Sequence, residues 1–217
     1  TRITAGHPSL TDPMAAVDPG IAWNIGSVTK TFLAVVVLQL ADEGGIDLDA
    51  GIDRWFPELA DAASITPRQL LQHTSGLAEY IDLPELDPAR SWTPAELIHL
   101  AEASGRIGAP GSGHAYTNTN YIVLGELVER VTGQEWDTEV RTRIVEPLGL
   151  SDTRLIEAKW TAPAHSFEDG IWVDRTGTVD PSVGGAGGAL ESTIADLLRF
   201  AVALANGELL SPEQLAA

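Results

Sequence analysis

The stretch from Ser27 to Asp42, SVTKTFLAVVVLQLAD, constrains the fold more than any other part of the chain, because it carries apolar side chains on nearly every face. A helix that is apolar all round is a buried helix. The β-branched run Val35 to Val37 would also suit a strand, but a length of about sixteen residues and the Gly44-Gly45 stop favour helix. A chain of 217 residues that is 44% hydrophobic and 20% charged has a globular composition, able to bury one sizeable core or two small ones.

The opening segment to about Pro19 is punctuated by Pro8, Pro13, Pro19 and Gly20 and reads as a strand fragment followed by a loop. Ile46 to Leu59 is an acidic connection containing Trp55 and Pro57. Thr66-Pro67 opens a short helix, with Thr66 as N-cap and proline at the first position. Thr93-Pro94 repeats that signature for a helix running to about Ala103. Two loops, Ala78 to Arg90 and Gly105 to Asn118, separate these helices from an amphipathic helix, Asn120 to Val131, that ends at Thr132-Gly133. Helix again fits Gln134 to Val145, and Ser192 is placed to cap a last helix, Ile194 to Leu204. Gly184 to Gly188 reads as a flexible or tightly turned link into it. Internal repeats and domain-dividing linkers are absent, and strand signals are few.

Charge and composition exclude several functions. With 13 Lys and Arg against 31 Asp and Glu, the net charge is −18. Nucleic-acid binding draws its affinity from clustered cations, and here eleven Arg are scattered among acids while Lys occurs only at Lys30 and Lys159. Anionic membrane surfaces are disfavoured by the same sign. The run Phe32 to Leu40 is far short of the roughly 20 residues a membrane span needs. The absence of Cys removes disulfides, thiol nucleophiles, zinc-cysteine sites and iron-sulfur clusters, and no metal or organic cofactor is implied. The chain opens on Thr1 rather than Met, so a preceding segment such as a signal peptide is expected.

Without Cys, a covalent hydrolase has to use Ser, Thr or water. Ser27 follows Gly26 at the start of the buried helix, where unpaired N–H groups and a partial positive charge suit a developing oxyanion. Lys30 comes three residues later, one turn along on the same face, so its amine can reach the Ser27 hydroxyl. A lysine is a base only when neutral, a form held at pH 7 by roughly one free side chain in a few thousand, and burial shifts that balance towards the amine. The bland alternative makes Ser27 an N-cap and Lys30 a snorkelling surface residue.

Tyr116-Thr117-Asn118 lies where the Gly-rich loop meets a helix. A phenol near a lysine ammonium can pass a proton to a leaving group, and an Asn amide can hold both the lysine and a substrate amide. Against this stands a half-buried aromatic at Tyr116 and a simple N-cap at Asn118. The histidines read as structural: His73 within LLQHTSGL, His99 in a helix, and His7, His114 and His165 in loops, with no metal-binding pair. A Ser-His-Asp arrangement using Ser75 or Ser112 has no G-x-S-x-G elbow to support it. Nothing singles out two carboxylates for glycoside cleavage.

The order of motifs is informative as a whole. Ile25-Gly26-Ser27-Val28-Thr29-Lys30-Thr31-Phe32, Leu70-Leu71-Gln72-His73-Thr74-Ser75-Gly76-Leu77, Tyr116-Thr117-Asn118, Glu146-Pro147-Leu148-Gly149-Leu150 and Gly187-Gly188 together resemble the serine β-lactamase and penicillin-binding protein superfamily. The similarity is to the branch of class C β-lactamases, D-alanyl-D-alanine carboxypeptidases and related esterases, and spans the chain from about Ala22. It implies an α+β fold, an antiparallel sheet flanked by helices. It also implies Ser27 as acylated nucleophile, Lys30 as its base or proton partner, Tyr116 as proton relay and Asn118 as substrate and lysine contact.

The family's third motif, Lys or His followed by Thr or Ser and Gly on a later strand, is not found after Asn118. Residues 1–217 are therefore expected to form a single incomplete domain lacking much of the sheet, with an uncovered face: either a complementary C-terminal chain fills it or the chain is a truncated product. The expected activity is a serine acyl hydrolase of the D-alanyl-D-alanine carboxypeptidase or β-lactamase type, acting on a D-alanyl peptide or a β-lactam. The alternatives are a small-ester carboxylesterase and a non-catalytic binding fragment. An extracytoplasmic location, secreted or periplasmic, is expected over a cytoplasmic one.

Overall fold

In the computed structural model, which describes residues 5–6, 8–12, 14–18, 20–158 and 162–215, the long apolar run forms helix α1, Thr29–Asp42. Thr1, His7, Pro13, Pro19 and Lys159, all used in the sequence reading, lie outside the described residues. The helix is preceded by a single 3-10 turn, Gly26–Val28, so Ser27 sits just ahead of α1 rather than inside it. Phe32, Leu33, Val35, Val36 and Val37 are almost fully buried, as an all-round apolar helix requires. It stops where Gly44 takes φ +76° and the Gly45 N–H closes on the Leu40 carbonyl at 2.8 Å.

Against α1 packs α4, Thr119–Thr132, and against α4 pack α2, Pro67–Leu71, and α3, Pro94–Ala103. Both α2 and α3 open with complete capping boxes, in which Thr66 pairs with Gln69 and Thr93 with Glu96, and with proline in the first turn. The α4 helix ends at Gly133, φ +74°. The expected helix from Gln134 to Val145 is instead α5, Trp136–Val140, followed by a π-helical stretch, Arg141–Val145, and a short α6, Glu146–Leu148. Pro147 has no N–H to offer the turn before it, and the ladder widens just ahead of it, with Glu146 N–H reaching back to the Arg141 carbonyl.

An antiparallel three-stranded sheet has the order β1, Trp23–Asn24; β5, Leu190–Ser192; β2, Arg154–Leu155. Trp23 lies opposite Ser192 and Leu155 opposite Leu190. A separate hairpin pairs β3, His165–Glu168, with β4, Ile171–Asp174. The architecture is thus α+β, helices beside a short antiparallel sheet. The details correct the sequence reading at several points. The described residues of the opening segment hold no strand, and His165 opens β3 rather than lying in a loop. The N-cap of α7, Ile194–Ala205, is Thr193, whose hydroxyl accepts from the Asp196 N–H at 3.3 Å, because Ser192 is already committed to β5. A last short helix, α8, Pro212–Leu215, lies against α1.

Two glycines set approaches that the site depends on. Gly76, φ +75°, lies so near the 105–118 loop that a Cβ there would fall 2.1 Å from the Gly108 carbonyl oxygen. Gly125 in α4 faces the Gly185–Gly187 turn, where a Cβ would meet Ala186 Cβ at 2.5 Å. Gly125→Ala is therefore expected to lose about 1–3 kcal/mol of stability, and adding Ala186→Gly should restore part of it. Thermal unfolding of the single and double variants tests this; a single variant as stable as the parent would contradict the packing.

Candidate active site

The turn carrying Ser27 is held on both sides. Ile25 N–H donates to the Leu190 carbonyl at 3.0 Å, and Leu190 N–H donates to Thr29 Oγ1 at 3.2 Å, so β5 grips the entry to α1. Asn24 Oδ1 accepts from the Gly26 N–H at 2.9 Å while its Nδ2 donates to the Gly188 carbonyl at 3.0 Å. Gly26 takes φ +50°, a left-handed conformation natural to glycine, and this turns Ser27 outward. Ser27 is exposed, whereas Lys30, one turn on, is only 5% exposed.

Lys30 Nζ meets three acceptors: Asn118 Oδ1 at 2.7 Å, the Gly187 carbonyl at 2.7 Å and Ser27 Oγ at 3.2 Å. Among the described residues it makes no ion pair. Ser27 Oγ is also 2.7 Å from the Tyr116 hydroxyl, and Lys30 Nζ lies 5.1 Å from the centre of the Tyr116 ring. Ser27, Lys30, Tyr116 and Asn118 are thus brought together from α1 and from the end of the second loop. Asn118 holds the N-cap position of α4, but its side chain makes no capping bond and turns to the lysine instead.

Two residues to which the sequence reading gave no catalytic part complete the arrangement. Glu79 Oε2 accepts from both the backbone N–H and the Nδ2 of Asn118, at 2.7 and 3.0 Å, which fixes the Asn118 amide with its oxygen towards Lys30. Its other oxygen accepts from the N–H groups of Tyr80 and Ile81. His73, read from sequence as structural, has its ring 4.3 Å from that of Tyr116. Burial, with the Lys30 charge beside it, pushes the His73 pKa down to about 4. Burial also raises the phenol of Tyr121 to about 12 and that of Tyr80 further, so among these rings Tyr116 is the half-exposed one. His73 lies in LLQHTSGL, the second of the resemblance motifs, and Glu79 two residues beyond its end; neither had been given a catalytic role.

Ser75 and Ser112, the alternative nucleophiles, serve turns: Ser75 Oγ donates to Asn120 Oδ1 in the interior, and Ser112 Oγ to the Ala109 carbonyl at 2.7 Å. No cluster of three or more His, Asp or Glu side chains suited to hold a metal ion occurs among the described residues.

A family model described as Beta-lactamase matches residues 4–217. The chain belongs to the β-lactamase family. Among curated relatives, it is 32% identical over 200 residues to penicillin-binding protein 4 of Amycolatopsis lactamdurans, covering 86% of this chain and 51% of that one. It is 33% identical over 189 residues to esterase EstB of Burkholderia gladioli, covering 76% of this chain and 44% of that one. The solved D-amino acid amidase of Ochrobactrum anthropi SV3, complexed with L-phenylalanine amide, superposes with a TM-score of 0.88 at 30% identity, over 97% of this chain and 63% of that one. The chain spans about half the length of the curated relatives it matches.

Within this family member, Glu79 carries four hydrogen bonds that a neutral amide cannot all accept. Glu79→Gln puts an NH2 against two backbone or side-chain donors, and an expected loss of about 1–3 kcal/mol follows. Denaturant unfolding measures it; an unchanged midpoint would remove Glu79 from the support of Asn118.

Proposed function

We propose that the protein is a serine acyl hydrolase that forms an acyl-enzyme on Ser27, acting on D-alanyl peptides, related amides or β-lactams in the manner of a D-alanyl-D-alanine carboxypeptidase or β-lactamase. The observation that carries this reading is that Ser27 Oγ lies within hydrogen-bond reach of both Lys30 Nζ and Tyr116 OH, at 3.2 and 2.7 Å. Two of the three positions around Lys30 Nζ point at fixed acceptors, Asn118 Oδ1 and Gly187 O. In the neutral amine those take the two N–H groups, and the lone pair faces Ser27 Oγ.

In the proposed mechanism the Ser27 hydroxyl gives its proton to Lys30, and Oγ forms a bond to the substrate carbonyl carbon. The charge on the carbonyl oxygen develops at the N-terminal end of α1, where the helix dipole favours it. As the bond to the leaving group breaks, Tyr116 OH donates a proton to the departing nitrogen or oxygen and is reprotonated from Lys30. Water then attacks the acyl carbonyl, losing its proton through the same pair, and the acid leaves as Ser27 Oγ–H is restored. The net reaction adds one water across one amide or ester bond.

Similarity to a penicillin-binding protein and to a D-amino acid amidase supports an amide or lactam substrate; similarity to EstB supports the second reading, a carboxylesterase acting on small esters. An extracytoplasmic location belongs to the same proposal, and no helix among the described residues is long and apolar enough to cross a membrane. So does the treatment of residues 1–217 as a single incomplete domain that a complementary C-terminal chain would cover. The exposed side chains of Ile194, Leu198 and Val202 on α7 offer an uncovered apolar stripe.

Intact mass before and after incubation with a penicillin, alongside turnover of a chromogenic acetyl ester, tests the reading. A penicilloyl adduct and ester turnover, both lost in Ser27→Ala, are expected. Turnover without an adduct would favour the esterase, and neither signal would favour a non-catalytic binding role.

A further inference from the structure

Resting on the reading of Ser27 as nucleophile and Tyr116 as its proton relay, we propose that His73 is a positioning residue that holds the Tyr116 phenol against Ser27, and that it does so only in its neutral form. The residues on either side of Tyr116 are both tied to His73. Ala115 N–H donates to the His73 carbonyl at 2.9 Å, and Thr117 N–H donates to His73 Nδ1 at 3.3 Å. Between these two ties the imidazole lies beside the Tyr116 ring, 4.3 Å between centroids and tilted by 30°. Tyr116 is 50% exposed, so its rotamer is otherwise free to leave Ser27. His73 itself is held at φ +56°, a conformation uncommon outside glycine, as expected where surrounding structure overrides local preference.

The chemistry of the neighbours fixes which form of His73 fits. Asn120 Oδ1 accepts from Ser75 Oγ, so the Asn120 amide nitrogen is the group facing His73 Nδ1, at 3.1 Å. With Thr117 N–H also pointing there, Nδ1 meets two donors and has to be an acceptor. The neutral tautomer with its proton on Nε2 satisfies both; the imidazolium would set a third donor against them. The charged and titratable groups facing the ring are Lys30 from α1, His114 and Tyr116 from the second loop, and Tyr121 from α4. Lys30 and His114 oppose a positive ring, and neither phenol is a carboxylate that would reward one. The low pKa of about 4 agrees with this geometry.

The sign of the pH effect follows. The folded chain keeps His73 neutral down to about pH 4, whereas the unfolded side chain takes its proton near pH 6.5. Stability contributed by the neutral ring is whole above pH 6.5 and falls as pH drops towards 4. The grip on Tyr116 is lost as pH falls through about 4.

The test compares wild type, His73→Phe and His73→Asn in ester hydrolysis across acid and neutral pH, with circular dichroism to verify folding. His73→Phe keeps a ring but no acceptor, and kcat should fall by about ten- to a hundredfold with KM nearly unchanged. His73→Asn tolerates a positive φ and places an amide oxygen where Nδ1 accepts. It should recover most of that kcat, and hold it to lower pH than wild type because nothing at position 73 is left to protonate. Identical acid limbs in wild type and His73→Asn, or a loss in His73→Phe that falls on KM alone, would overturn the proposal. A second readout needs no turnover: ultraviolet titration of the Tyr116 phenol, taken as the difference from Tyr116→Phe. It should shift in His73→Phe, and an unshifted titration would count against the grip. Turnover that survives Ser27→Ala would instead sink the nucleophile reading, leaving the Tyr116 titration to judge His73.

Discussion

A buried lysine amine has to be given acceptors, and the arrangement of this protein follows from supplying them to Lys30. The side chain is 5% exposed in the first turn of an apolar helix, where an unmet amine would be costly. Its three acceptors come from three separated parts of the chain: Ser27 one turn earlier, Asn118 at the head of α4, and the Gly187 carbonyl in the turn before β5. Each therefore has to be held in place by structure that is otherwise remote from Ser27.

That support can be traced outward. Gly187 is brought close because α4 carries Gly125 where it passes Ala186, and because β5 pairs with β1 beside the Ser27 turn. Asn118 is oriented by Glu79, whose own segment is fixed by Tyr80 OH donating to the Val183 carbonyl at 2.6 Å. Tyr116 is set by a zipper between the second loop and the segment that follows α2, in which Ile107, Gly111 and Ala115 donate in turn to Gly76, Thr74 and His73. The stacked rings of Phe32 and Phe200, 3.8 Å between centroids, lock α1 to α7 on the far side. Packing and hydrogen bonding thus converge on a few atoms around Ser27 Oγ, in keeping with loops positioned by a rigid scaffold.

Much of this was legible in the sequence where the signal is local. The capping threonines Thr66 and Thr93, the all-round apolar α1 and the stop at Gly133 are written in neighbouring residues, and so is the spacing of Ser27 and Lys30. What escaped depends on distant partners. Strands of two or three residues, such as β1 and β5, have too little alternation to read, and exist because each pairs with the other across the fold. Whether Ser192 or Thr193 caps α7 depends on that same pairing. His73 and Glu79 look like ordinary loop residues until the second loop folds back on them; nothing within a few positions of either shows that Tyr116 and Asn118 are their partners. The widening at Arg141–Val145 needed Pro147 to be weighed for the bond it cannot make.

The central claim is that the Lys30 amine, held by Asn118 and Gly187, is the proton partner of Ser27. The most direct measurement is the pre-steady-state acylation rate of Lys30→Met by a chromogenic ester, set beside wild type, with folding checked by circular dichroism. The account predicts a folded variant whose acylation is slower by about a hundredfold or more, the scale of a lost general base. A folded Lys30→Met chain that acylates at a rate near wild type would contradict it.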